Sequence, residues 1–314
     1  MKAAILAAGL GTRLRPLTES VPKALLPVLN RPLLGVWLAQ VEEAGFHRVA
    51  VNTHHLADQV RQFLGRQPWG VNLSVSQEPE LLGTGGGLRE LGKILGGGPF
   101  LAVNGDILTD LDLNRVYRRH DPEALATLVL LDCPPHNTVW LDSQGMVAGI
   151  GAPSPTSTGS PLTYSGIQVV GPRMLDYLPG PGPYDLGTAW REALAAGERL
   201  AALVVQGHFW QDLGTPAAYL AAHRRLLKGE SPHLARFFPP LADPLLGPGA
   251  VLEEGVACNG GVCLGEQVRV GAGACLENTV IWDRAEIAPK VSLKDCVVGQ
   301  GARVTASAQG RVLV

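Results

Sequence analysis

Two cations, Arg13 and Lys23, stand ten residues apart in GLGTRLRPLTESVPK, residues 9–23, which directly follows an apolar run. A glycine turn exposes backbone N–H groups, and two separated cations beside it suit an anion whose charges lie several Å apart, such as a polyphosphate. The dinucleotide pattern G-x-G-x-x-G would need glycine where this chain has Leu14, and the phosphate loop G-x-x-x-x-G-K-[ST] is absent. A third group, Asp106 in VNGDILTD, falls just past the carboxyl end of an apolar strand pattern, where open α/β sheets bind ligands. A carboxylate there can hold Mg²⁺ while phosphate oxygens and water complete the octahedron. Asp110 and Asp112 read instead as acids placed to cap the following helix. His54 and His55 are adjacent with no third ligand at metal spacing, and they read as a non-catalytic loop pair.

The elements that must hold these groups follow from periodicity. Ala3 to Ala8 is continuously apolar, as expected of a strand covered on both faces. Pro32 to Ala44 predicts a helix with proline at its start and Gly45 at its end. Strand patterns follow at 48–53, 71–76 and 99–106, and helical patterns at 56–65 and 86–95. The alternation is expected to continue through strands at 124–131 and 162–170, a helix at 186–197, a strand at 200–206, and a helix begun by Thr215-Pro216 and closed by Gly229. This is an α/β domain with a mixed, mainly parallel sheet.

A proline-rich stretch from Glu230 to Gly249 separates two compositions and predicts domains at 1–240 and 241–314. Beyond it Ala250, Val256, Val262, Val268, Ala274 and Val280 recur every six residues, and Ala285, Val291 and Val297 continue after one slip. Small aliphatics at that period predict a left-handed parallel β-helix of about four coils.

Composition bounds the partners. With 314 residues, net charge −2 and a pI near 6.4, the chain lacks the positive excess that broad binding to nucleic acid or acidic membranes requires. Five cysteines without a C-x-x-C pair fit small buried residues in a reducing compartment. The first apolar run is too short for a signal peptide or a membrane span, so a cytoplasmic protein is expected.

G-x-G-T-R followed by P-K resembles the signature of the sugar-1-phosphate nucleotidylyltransferases. The resemblance implies a Rossmann-like catalytic domain in which Arg13 holds the triphosphate and Lys23 the reacting phosphate, with Leu6, Ala8, Gly9, Gly11, Thr12 and Asn104 around the nucleotide. The family often has proline after the lysine, where this chain has Ala24. EPELLGTGGG resembles the family's base-reading segment and implies Glu78, Gly83 and Thr84 as nucleotide-binding. FWQDLGTP resembles W-x-D-x-G-T-P and implies Asp212 as the second Mg²⁺ ligand beside Asp106. TYSGIQVV resembles the strand that meets the sugar and implies Tyr164, Ser165 and Gly166 there.

A carboxylate can accept from both N1–H and the 2-amino group of guanine, so Glu78 favours GTP over UTP or dTTP, with Glu80 the alternative reader. The expected activity joins GTP to mannose 1-phosphate, releasing pyrophosphate. The family's E-K-P segment is replaced here by GIGAPSPTSTGSP, an absence similar to the branch that makes UDP-N-acetylmuramic acid. Uridylyl or thymidylyl transfer to N-acetylmuramate, N-acetylglucosamine or glucose 1-phosphate is the alternative. Two further readings are a non-catalytic regulatory subunit, against which Arg13, Lys23, Asp106 and Asp212 stand, and a repeat-domain acyltransferase. Such acyltransferases use a histidine base, and the last histidine is His233, before the repeat. The β-helix is therefore expected to pack on the catalytic domain or to join copies into a homo-oligomer.

Overall fold

The structure is a computed structural model and describes residues 1–66, 68–134 and 136–314. The chain forms two compact units that interleave along the sequence. Met1–Gly9, Trp37–Ile107 and Leu111–Trp210 make the first; Leu10–Val36, Leu108–Asp110 and Gln211–Val314 make the second.

The first unit is built on a nine-stranded mixed sheet. Phe100–Asn104, Lys2–Leu6, Arg48–Thr53 and Asn72–Gln77 run parallel, with Ala3 opposite both Leu101 and Val49. The centres of the first three are apolar and buried, which explains why those segments read as hydrophobic runs, whereas Asn72–Gln77, at the edge of the sheet, is half-exposed and alternates. The long strand Thr158–Val170 runs antiparallel to Phe100–Asn104 and also pairs with Ala126–Leu131, which carries Leu200–Val204 in parallel. The helices Gly83–Leu95 and Leu186–Ala195 supply Leu88, Leu91, Leu95, Leu186, Ala189 and Trp190 to one buried core with the sheet.

Three departures from the periodic reading have local causes. The first strand ends at Leu6, not Ala8, because the amide of Ala7 donates to Asn52 Oδ1 at 2.6 Å instead of continuing the ladder. The helix expected from residue 86 begins at Gly83, since the amides of Gly85 and Gly86 are both taken by the carbonyl of Tyr184. Between Leu131 and Thr158 an antiparallel pair, Val139–Leu141 with Val147–Ile150, extends the sheet in a stretch that carried no clean alternation. Asp112 caps Leu113–Arg118 as expected, accepting from Arg115 N at 3.0 Å.

The second unit contains three parallel sheets of short strands, five in one and four in each of the others. Successive strands visit the three sheets in turn, Leu245–Leu246, Val251–Leu252 and Ala257–Asn259 completing the first coil and Cys263–Leu264 opening the next. This is a three-sided parallel β-helix. Val262, Val268, Ala274, Ala285 and Val291 are buried in its shared core, where they alternate with the larger Leu264, Leu276, Ile281, Ile287 and Leu293. The helix Pro216–Leu227 belongs to the same unit and begins at Thr215, whose hydroxyl accepts from Ala218 N at 3.2 Å. No helix among the described residues is long and apolar enough to cross a membrane.

Candidate active site

Within the second unit the glycine turn and its cations are held by sterics first. Gly11 adopts φ +64 and caps a short 3₁₀ turn, Thr12–Leu14. A Cβ on Gly11 would lie 2.7 Å from Thr18 Cγ2 and 3.2 Å from Lys23 Cβ, so glycine is what allows Lys23 to fold back against the turn. Thr18 fixes the turn by donating its hydroxyl to Gly11 O at 2.8 Å. Thr12 and Arg13 project outward, and Arg13 Nη2 stands 3.9 Å from Asp212 Oδ2. Gly214 keeps that pair together: a Cβ there would sit 2.4 Å from Arg13 Nη2 and 2.8 Å from Asp212 Oδ1. Gly11, Arg13, Lys23 and Asp212 are thus brought into one neighbourhood. Asp212 Oδ1 is buried and has no hydrogen-bond partner. A carboxylate oxygen held out of water without a donor suits a hard cation, which fits the Mg²⁺ role expected of Asp212.

Within the first unit the carboxyl ends of Lys2–Leu6 and Phe100–Asn104 converge. Gly105 N donates to Leu6 O at 2.8 Å, and Gly166, at φ +82, leaves no room for a Cβ, which would meet Ile107 Cγ1 at 2.9 Å and Asn104 at 3.2 Å. Leu6, Asn104 and Gly166 therefore line one edge, and Asp106 follows at once, half-buried, in the turn after Asn104. Ala8 is buried, and Gly9 has open space where a Cβ would project.

Glu78 is buried, and its two oxygens are already engaged: Oε1 accepts from Asn52 Nδ2 at 2.7 Å and Oε2 from Leu82 N at 3.0 Å. Asn52 in turn holds Ala7 N, so it links the first strand to the Glu78 segment. A Cβ on Gly87 would come within 2.5 Å of Asn52 Nδ2 and 2.9 Å of Glu78 Oε1. Sequence reading passed over Asn52; its signal was an amide at the end of an otherwise apolar strand. His54 bonds locally, its Nδ1–H donating to Glu78 O at 2.9 Å. Gly83, at φ +69, and Thr84 lie against Tyr184–Leu186, where the Thr84 hydroxyl accepts from Leu186 N at 3.2 Å.

On the strand expected to meet the sugar, Ser165 is fully buried; its hydroxyl accepts from Ile167 N and its carbonyl from Trp210 Nε1 at 2.8 Å. Tyr164 stands edge-on to Trp190, ring centroids 4.9 Å apart, and burial drives its phenol far above the ordinary range. Among the described residues no cluster of three or more His, Cys, Asp or Glu side chains gathers.

A model of the family described as nucleotidyl transferase matches residues 2–229. The chain belongs to that family. Among its relatives, an N-acetylmuramate α-1-phosphate uridylyltransferase of Neisseria meningitidis serogroup B is 41% identical over 182 residues, covering 56% of this nucleotidyl transferase and 78% of the relative. A mannose-1-phosphate guanylyltransferase of Arabidopsis thaliana is 29% identical over 329 aligned positions, 97% of this chain and 89% of its own. In three dimensions the nucleotidyl transferase matches a UDP-glucose pyrophosphorylase from Acinetobacter baumanii with a TM-score of 0.63 and 21% identity, over 75% of this chain and 96% of that one, a likeness of fold. Among the branches of its family, this nucleotidyl transferase falls with the sugar-1-phosphate nucleotidyltransferases.

Proposed function

We propose that the chain transfers a uridylyl group from UTP to N-acetylmuramate α-1-phosphate, releasing pyrophosphate. One observation carries the choice of nucleotide: Glu78 is only 3% exposed and each of its oxygens accepts from an internal donor, so its carboxylate is turned into the protein and not out toward the pairing edge of a guanine. The 41% identity with the Neisseria enzyme and the missing E-K-P segment support the same reading of the sugar. The second reading, GTP with mannose 1-phosphate, is favoured by the match to the Arabidopsis enzyme over 97% of this chain.

In the proposed reaction a phosphate oxygen of the sugar 1-phosphate attacks the α-phosphorus of the triphosphate; a new P–O bond forms as the α–β bridge breaks and pyrophosphate leaves. The attacking phosphate is already ionised near neutral pH, so positioning and charge neutralisation matter more than a general base. Arg13 is assigned the departing pyrophosphate, Lys23 the reacting phosphate, and Gly9, Gly11 and Thr12 the turn that faces the nucleotide. Asp106 and Asp212 are proposed to hold Mg²⁺, which when bound neutralises phosphate charge. Residues 1–240 are proposed as the catalytic segment and 241–314 as its appended β-helix.

Pyrophosphate release is measured with UTP, GTP, dTTP and CTP, each against N-acetylmuramate, N-acetylglucosamine, glucose and mannose 1-phosphates. The expected result is a clear preference for UTP with the N-acetylmuramate substrate; a preference for GTP with mannose 1-phosphate establishes the second reading. Asp106→Asn is expected to abolish turnover with an unchanged circular dichroism spectrum, and full activity in that variant removes the metal assignment.

A further inference from the structure

The second unit contains a hairpin that no motif singled out. Pro27–Val28 pairs with Arg31–Pro32, four residues after Lys23, and its tip residues Leu29 and Asn30 both have positive φ, +46 and +64. Asparagine tolerates this conformation; leucine rarely does. The tip is held by others. Leu29 is fully buried and donates its amide to His223 Nε2 at 3.1 Å. Asn30 Nδ2 donates to Leu264 O at 2.8 Å, and Cys263 Sγ to Asn30 Oδ1 at 3.3 Å, both on the β-helix. The base of the hairpin is gripped by Tyr219, whose hydroxyl donates to Pro27 O and accepts from Trp282 Nε1 at 3.0 Å.

Tyr219 is fully buried and lies in the first turn of Pro216–Leu227. It therefore ties together three pieces of chain: Pro27, four residues past Lys23; the helix that opens four residues past Asp212; and Trp282 of the β-helix. The Arg13–Asp212 pair and the Lys23 turn share this one anchor.

We propose that Tyr219, backed by Trp282, is a positioning residue that sets the Lys23 turn against Asp212, so that the β-helix fixes the geometry of the phosphate-holding cations. The inference rests on the reading of Lys23 as a phosphate-holding group. Tyr219→Phe keeps the ring and removes the hydroxyl that serves both Pro27 and Trp282.

The test measures kcat and KM by pyrophosphate release, using the preferred substrates of the wild-type full-length chain, for Tyr219→Phe, Trp282→Phe, Lys23→Ala and the Tyr219→Phe/Lys23→Ala double variant. Thermal melts and near-ultraviolet circular dichroism report the fold. Tyr219→Phe is expected to lower kcat about tenfold or more while KM for the triphosphate changes less than about threefold, since small displacements of a positioned group fall on the chemical step. Trp282→Phe should give a smaller loss of the same kind. In the Lys23→Ala background, Tyr219→Phe should have no further effect on kcat. Effects on kcat that multiply across the double variant, or a loss in Tyr219→Phe that follows the melting temperature alone, overturn the proposal. Unchanged turnover in Lys23→Ala overturns the reading of Lys23 itself and takes this inference with it.

Discussion

At the scale of single residues, the site is shaped as much by the absence of side chains as by their charges. Gly214 leaves the space that Arg13 Nη2 and Asp212 Oδ1 share. Gly214→Ala pushes the guanidinium off its partner while leaving the backbone, whose φ is ordinary, unstrained. It is expected to lower kcat/KM about a hundredfold with a melting temperature close to wild type, checked by pyrophosphate release and calorimetry. Glu78 gives the opposite expectation. Glu78→Gln offers one oxygen where two donors, Asn52 Nδ2 and Leu82 N, now bind, and an unpaired buried donor costs about 1–3 kcal/mol. The variant should melt several degrees lower while its preference among nucleotides stays as in wild type; a switch of preference would return base reading to Glu78. The carboxylate was legible in the sequence and its occupation was not, because Asn52 lies a strand away and only the parallel register of Arg48–Thr53 with Asn72–Gln77 brings the two together.

Elements show why some of the fold was readable and some hidden. Parallel strands buried on both faces carry long apolar runs, so Lys2–Leu6, Arg48–Thr53 and Phe100–Asn104 stood out, whereas the pair Val139–Leu141 and Val147–Ile150 is half-exposed and lies among prolines and glycines. The six-residue period betrayed the β-helix because each coil contributes its small aliphatics to one continuous core. The helix Pro216–Leu227 was legible at its start, from Thr215-Pro216, but its buried polar side was not. His223 there accepts from Leu29 N through Nε2 and donates through Nδ1 to Tyr219 O, so it is held neutral, and burial lowers its pKa from 6.5 to about 4. An unfolded chain takes up this proton as pH falls through about 6.5, and the folded one does not until about 4. Stability from this group is therefore fully present above pH 6.5 and declines between 6.5 and 4, by roughly 3 kcal/mol at full extent. Urea melts across that range should show the decline in wild type and a flatter profile in His223→Gln.

For the whole molecule, composition and packing divide the chain at different places. Composition changes near residue 240, yet the second compact unit takes in Leu10–Val36 and Gln211–Val314 together. Sequence could not reveal this, since contacts such as Asn30 to Leu264 and Tyr219 to Trp282 join residues with no periodic relation. A chain ending at residue 240 would expose Leu29 and Tyr219, both fully buried in the intact protein. It is expected to be poorly soluble and to release no pyrophosphate; a soluble, fully active product would show that the β-helix is dispensable for the site. The hydrogen bond from Leu29 to His223 also spans 194 residues, and a ribosome adding about 5–20 residues per second needs roughly 10–40 s to cross that interval. The loop that carries Arg13 and Lys23 is thus synthesised well before the helix that seats it, so a nascent chain holds the two cations across that interval without a site to act through.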